Sequence, residues 1–188
     1  PNPLFGLGFG DNPVFEGIYD ASRLVAGGSI DAAKRIVEVG GSAFNFAGGL
    51  HHAMPSQASG FCIFNDPALA IQVLKKGFER VLYIDIDAHH GDGVQEIFYR
   101  DPNVLTISIH ESGRYLFPGT GFVDELGEGS GRGCSVNAPM PPGSGDRDYQ
   151  RAFEAVVPQL FQTFRPAVVL PQPGADAPYP DPLHTLNP

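Results

Sequence analysis

The stretch Val81-Leu82-Tyr83-Ile84-Asp85-Ile86-Asp87-Ala88-His89-His90-Gly91-Asp92-Gly93 constrains this chain more than any other. Apolar and β-favouring residues run directly into carboxylates and imidazoles, followed by glycines. A buried strand is ending in a polar site. If Ile84 and Ile86 point to one face, the alternation of a strand sends Asp85, Asp87 and His89 to the other. Burying three such groups side by side is costly unless a cation or hydrogen-bond partners compensate them.

The flanking sequence alternates helix and strand. Asn12 caps a helix opening at Pro13 and running to about Ala26; Ser29 caps a second, Ile30 to Val39, closed by Gly40 and Gly41. Ser42 to Phe46 reads as a short strand that delivers His51 and His52 into a loop. Asn65-Asp66-Pro67 starts a helix with Ala68, Ile71 and Leu74 at helical spacing until Gly77. The strand Val81 to Asp87 follows, then a helix with Val94, Ile97 and Phe98, a strand from Val104 to His110, and a Gly-rich loop from Glu111 to Gly133. Asp146 caps the longest helix, with Tyr149, Phe153, Val156, Val157, Leu160, Phe161 and Phe164 on its apolar face despite Pro158. Ala167 to Leu170 is the last strand and empties into Gln172-Pro173-Gly174-Ala175-Asp176. Short strands apolar on both faces, alternating with helices, predict a parallel α/β sheet with helices on both sides. Ligands of such sheets bind beyond the carboxyl ends of the strands. The pairs His51/His52 and Ser108/His110, the Asp85 to Asp92 cluster and Asp176 all fall there.

Composition narrows the function. Against 12 Lys and Arg stand 21 Asp and Glu, a net charge of −9 with no basic run, which argues against nucleic acid and anionic membranes as partners. No apolar run approaches the roughly 20 residues of a membrane span, and Pro1-Asn2-Pro3 carries no basic secretory start. Cys62 and Cys134 form neither a disulfide framework nor zinc knuckles, so a cytoplasmic setting is expected, with Cys62 a packing residue. The 24 glycines and 18 prolines among 188 residues are nearly twice the usual share. Beside 42% hydrophobic residues they indicate long shaped loops on a packed scaffold.

Asp87, His89 and Asp176 offer one imidazole and two carboxylates, a set suited to a borderline divalent ion with positions left open for water. The competing reading makes Asp85 and Asp87 helix caps and His89 a satisfied core histidine. His51 and His52 are either a packed pair or general acid/base groups; their place after a Gly-Gly turn favours the second. An imidazole in that role needs a carboxylate on its other nitrogen, and Asp85 and Asp92 are available. Phe61 and Phe117, in loops, serve as packing anchors or as ligand walls. The Gly127 to Gly133 run fails the dinucleotide spacing, and neither a P-loop, a nucleophile elbow nor an HExxH helix is present.

Gly48-Gly49-Leu50-His51-His52-Ala53, Ala58-Ser59-Gly60-Phe61-Cys62, Asn65-Asp66, Asp85 to Gly93, Phe117-Pro118-Gly119-Thr120-Gly121 and Gly174-Ala175-Asp176 together resemble the zinc-dependent histone deacetylase superfamily, and within it the acetoin-utilisation deacetylases of bacteria and archaea. The motifs keep the family's order and spacing over nearly the whole chain. The resemblance implies a three-layer arginase/deacetylase-like α/β fold, shortened, as one partial catalytic domain over residues 1–188. It implies Zn2+, or Fe2+, on Asp87, His89 and Asp176. It makes His51 and His52 the general base/acid pair, backed by Asp85 and Asp92. Phe61 and Phe117 would wall an acyl-lysine tunnel, Gly60 would belong to the substrate-binding residues with them, and Asp11 would hold the substrate backbone. A structural K+ or Na+ would sit by Asp85, Asp87, His89, Ser108 and Ile109.

The reaction implied is removal of acyl groups from acetyl-lysine proteins or small acetylated substrates by metal-activated water. Two departures from the family pattern qualify it. The chain stops before the segment bearing the family's catalytic tyrosine, and none of Tyr19, Tyr83, Tyr99, Tyr115 or Tyr149 stands in its place; Tyr179, near Asp176, is the candidate substitute. Pro171, Pro173, Pro178, Pro180 and Pro182 crowd the Asp176 loop and make it the least secure ligand. Esterase activity above amidase activity, or an acyl-lysine binding module without turnover, is expected on that account. An uncovered sheet edge predicts a homo-oligomer or limited stability. An arginase-type ureohydrolase is the third reading; it would need further His/Asp ligands for a second metal, and the aromatic residues speak against it.

Overall fold

Helix α1 runs from Ile18 to Val39 without a break. This corrects the two helices expected around Gly27-Gly28, and the start moves from Pro13 to Ile18. The computed structural model describes residues 2–177 and 182–186, so Tyr179, Pro178 and Pro180 lie outside the described residues. Both glycines lie inside the helix; Gly27 faces open space, and Gly28 is a place of close approach, where a Cβ would stand 3.0 Å from the Asn45 amide nitrogen. Ser29 is not a cap. It is buried in mid-helix, where its hydroxyl donates to Asp66 and accepts from Asn45 Nδ2 at 2.8 Å. The strand expected at Ser42 to Phe46 is absent; that segment is irregular and is fixed by Asn45, whose amide also donates to the Val25 carbonyl at 3.0 Å.

The chain forms two compact units. The first is the chain up to Phe78 together with Asp92–Ile97; the second is Glu79–Gly91 with the residues from Phe98 onward. In the first, α1 packs on α2, Asp66–Leu74. Ser22, Ala26, Ser29 and Ala33 recur on one face of α1 at spacings of four and three, and these small side chains let the two helices approach closely. The helix starts at Asn65-Asp66-Pro67 as expected, and Asn65 caps it by accepting from the Ala68 N–H at 3.0 Å. Helix α3, Asp92–Phe98, opens within this unit.

The second unit holds a wholly parallel sheet of β1 (Val81–Asp85), β2 (Val104–Glu111), β3 (Ser135–Met140) and β4 (Val168–Gln172), in spatial order β3-β2-β1-β4. Every residue of β2 is buried, as the central position of an apolar strand requires. Strand β3 was not expected from the sequence. It lies at one edge, is half-buried after Ser135, and carries Asn137 and Pro139, so it lacks the apolar signal of β1 and β2. Pro171 lies in β4 on the other edge, where a strand residue without an N–H costs no ladder bond on the open side. Helix α4, Asp146–Phe164, packs on β2 and β3; Gly145, not Asp146, occupies its cap, and α1 exceeds it in length. Its Val156, Val157, Leu160 and Phe164 close over Leu82, Leu105, Ile107, Ile84 and Val136. Parallel pairing sets Asp85 and Gln172, the last residues of β1 and β4, level with Ser108 of β2, which runs on to Glu111.

Candidate active site

Strand β1 stops at Asp85, two residues earlier than alternation suggests, and the loop beyond it is shaped by its own carboxylates. Asp85, fully buried, accepts from the Tyr83 hydroxyl at 2.6 Å and from the Asp87 N–H at 3.2 Å. Asp87 in turn accepts from the His89 N–H at 2.8 Å. Each carboxylate turns the backbone toward the next acidic or imidazole group. The result places His89 Nδ1 2.8 Å from Asp176 Oδ2 and 3.3 Å from Asp87 Oδ1. Asp87, His89 and Asp176 each present a donor atom, all within 4.8 Å of one another, as a group able to hold a metal ion. Burial opposes charge on His89, but the hydrogen bonds from Asp176 and then Asp87, with their negative charges, outweigh it and raise its pKa to about 9.

Two residues that the sequence reading did not single out brace this group. Gln172 at the end of β4 donates to Asp87 Oδ2 at 3.2 Å and accepts from the Gly174 N–H at 3.0 Å. His184 donates from Nε2 to the Asp176 carbonyl while its Nδ1 accepts from the Leu186 N–H at 2.9 Å. Gly174, at φ +60, passes so close to the loop that a Cβ there would lie 2.6 Å from Asp87 Cα. Ser108 Oγ contacts His110 Nδ1 at 2.7 Å, and His110 Nε2 donates to the Gly121 carbonyl at 3.0 Å; both side chains and Ile109 are buried. Tyr149 Oη is buried and without a hydrogen-bond partner among the described residues. Burial first, then the negative charges of Asp87, Asp176, Glu111 and Asp85, push its pKa up.

In the first unit the buried His51 and His52 rings lie 4.1 Å apart. His52 Nδ1 is 2.7 Å from Asp92 Oδ1, an oxygen that also accepts the Gly93 N–H at 2.9 Å, so Nδ1 carries the proton and Nε2 is left as the basic nitrogen. The loop bearing both histidines is held by the start of α2. Asp66 accepts the N–H groups of Gly49 and Leu50 at 3.0 and 2.8 Å, and Asn65 Nδ2 donates to the carbonyls of His51 and Ala53 at 3.0 and 2.9 Å. Gly60 sits against the His52 ring: at φ +51, a Cβ would meet His52 Cδ2 at 2.5 Å. Phe61 has φ +66 and is 65% exposed, Asp11 is half-buried with Asn12 donating to it at 3.2 Å, and Phe117, in the second unit, is 44% exposed. Cys62 is buried and its thiol pKa is pushed up to about 12 by that burial, against backbone hydrogen bonds that act to lower it.

A parallel sheet whose strand ends carry this Asp-His-Asp group is an arginase/deacetylase-like α/β fold. The chain belongs to the histone deacetylase family: the Histone deacetylase domain profile matches residues 4–188. It is 49% identical over 187 residues to the acetoin utilization protein AcuC of Bacillus subtilis (strain 168), covering 97% of this chain and 48% of that protein. It is 47% identical over 178 residues to histone deacetylase clr6 of Schizosaccharomyces pombe, covering 94% and 44%. Among solved structures, an HDAC homolog from Aquifex aeolicus superposes with a TM-score of 0.91 at 44% identity over 96% of this chain and 49% of that chain; a structure of an HDAC homolog complexed with SAHA gives the same values. The chain thus spans about half the length of the relatives it matches. Among the described residues no helix is long and apolar enough to cross a membrane.

Proposed function

We propose that this chain is a metal-dependent hydrolase that removes acyl groups, acting on acetyl-lysine proteins or small acetylated molecules, with esterase activity toward short-chain esters. The observation that carries the reading is the group formed by Asp87, His89 and Asp176, whose donor atoms lie within 4.8 Å of one another. The group fits a divalent ion. Two carboxylates against one imidazole leave negative charge in a largely buried place, which a cation neutralises, and the donor types suit zinc or ferrous iron. A bound ion would supply Lewis-acid polarisation of the acyl carbonyl and a water of lowered pKa.

The chain's own residues supply the proton transfers. His52, fixed by Asp92, offers Nε2 to accept a proton from the attacking water. His51, backed in this proposal by Asp85, is the partner that returns a proton to the leaving group. Gly60 gives the His52 ring its room, and Phe61, Phe117 and Asp11 are assigned to the substrate. A structural K+ or Na+ by Asp85, Asp87, His89, Ser108 and Ile109 belongs to the same reading. An ester has a better leaving group than an amide and needs less polarisation of its carbonyl, so short aryl esters are the faster substrates.

The test is the initial rate on p-nitrophenyl acetate and on an acetyl-lysine peptide, before and after chelation, with zinc restored and with Asp87→Ala in parallel. Activity lost on chelation, regained with zinc and absent from the variant is expected. Activity indifferent to both treatments refutes the metal reading, and peptide turnover equal to or above ester turnover refutes the substrate order.

A further inference from the structure

Within the second unit a closed circuit of hydrogen bonds runs behind the Asp87, His89 and Asp176 group. The Glu111 N–H, at the end of β2, donates to the Ala88 carbonyl at 2.9 Å, and Ala88 lies between Asp87 and His89. The Ala88 N–H donates at 3.2 Å to Asp176 Oδ1. His184 donates to the Asp176 carbonyl, and its neighbour Thr185 returns to Glu111, the backbone N–H reaching Oε2 at 2.8 Å and the hydroxyl reaching Oε1 at 2.6 Å. The Thr185 carbonyl is itself held by the Gly143 N–H at 2.9 Å. Glu111 and His184 are both buried.

The circuit has a direction. Glu111 holds one ligand loop through its backbone and, through its carboxylate, the segment 182–186. That segment holds Asp176 through His184. A carboxylate ligand on a loop with Pro171 and Pro173 nearby loses definition unless its backbone is anchored, because proline provides no N–H to tie the loop down. His184 acts on the carbonyl of Asp176, leaving both carboxylate oxygens to face Ala88 and His89. The Leu186 N–H on its Nδ1 fixes the tautomer that can donate.

We infer that Glu111 and His184 are positioning residues, which hold Asp176 in register with Asp87 and His89 and thereby set the affinity and geometry of the metal site. The inference rests on the metal reading given under the proposed function. Partners behind the ligands typically contribute 10- to 100-fold in metal affinity.

The test uses the full chain and reads metal binding rather than turnover: zinc affinity by competition with a chelating dye, and the visible absorption of the cobalt-substituted protein. His184→Ala is expected to weaken zinc binding 10- to 100-fold and to shift the cobalt bands. His184→Gln, whose Nε2 reaches a position close to that of the imidazole Nε2, is expected to restore both to within about threefold. Thr185→Val removes only the hydroxyl donor to Glu111 and is expected to weaken binding about threefold to tenfold, the worth of one hydrogen bond. Wild-type affinity in both His184→Ala and Thr185→Val overturns the inference, as does a glutamine variant as weak as the alanine one. If His184→Ala does not fold, Thr185→Val decides by the same criterion. A wild-type chain that takes up no zinc, or an Asp87→Ala variant that binds as well as wild type, overturns the metal reading itself and this inference with it.

Discussion

Asn65 serves two structures at once, and substitution separates them. Its Oδ1 caps α2 by accepting the Ala68 N–H at 3.0 Å, and its Nδ2 donates to the His51 and Ala53 carbonyls at 3.0 and 2.9 Å. Loss of a cap costs about 1 kcal/mol. Each buried amide–carbonyl bond adds about 1 kcal/mol net, and more when an acceptor is left without a donor. Asn65→Ala is therefore expected to cost about 3 kcal/mol, and Asn65→Ser, which keeps the cap and loses the clamp, about 2 kcal/mol. Asn65→Asp also keeps the cap but turns a carboxylate oxygen toward two carbonyl oxygens, so it is expected to be less stable than the serine variant. For a chain of this length about 3 kcal/mol corresponds to a fall in Tm of roughly 6 to 12 °C. The protein has no tryptophan, so urea and thermal unfolding are followed by far-UV circular dichroism. A serine variant as stable as wild type, or an aspartate variant more stable than serine, refutes the clamp.

Gly60→Ala places a Cβ 2.5 Å from the His52 ring at a backbone φ of +51. The ring must move off Asp92, and kcat is expected to fall on the order of 10²-fold while zinc stoichiometry, measured separately, stays at the wild-type value; an unchanged kcat refutes the role given to Gly60. Cys62 governs a pH effect whose sign follows from its thiol pKa, raised by burial from 9.0 to about 12. The stability it contributes is fully present below pH 9 and is lost as pH rises through about 12. Iodoacetamide at pH 8 is expected to label the half-buried Cys134 and spare Cys62 until urea is added, and equal labelling of both in the native protein contradicts this.

Where a residue's signal is periodic and local, the sequence reading and the structure coincide. Strands β1, β2 and β4, the start of helix α2 at Asn65-Asp66-Pro67 and the apolar face of α4 are all read from the local sequence; the three strands lie within two residues of their expected limits, while α2 ends at Leu74, short of the expected Gly77. The failures share a cause. Gly27-Gly28-Ser29 has the composition of a helix stop and cap, but the glycine next to Ser29 admits Asn45 and the serine meets Asp66, so tertiary contacts replace local punctuation. Strand β3 is an edge strand of mixed polarity and sends no alternating signal.

The site follows the same division. Asp87, His89 and Asp176 were legible as a donor set because their side chains could serve few other ends at the carboxyl edge of a buried sheet. Gln172, His184 and Glu111 were not, because each looks like an ordinary polar loop or strand-end residue until the chain brings it to its acceptor or donor. The distance between them in sequence explains the difference. Glu111 meets Thr185 across 74 positions, a separation over which no pattern in the sequence reports. A ligand is chosen by the chemistry of its own side chain, whereas a brace is chosen by geometry that exists only after folding. Substitutions at Glu111, Thr185 and His184 should therefore change how tightly a metal is held more than whether the sheet forms, since the pairing of β1 with Val104–Ser108 of β2 and the apolar core of Leu82, Leu105, Ile107 and Val157 do not involve them.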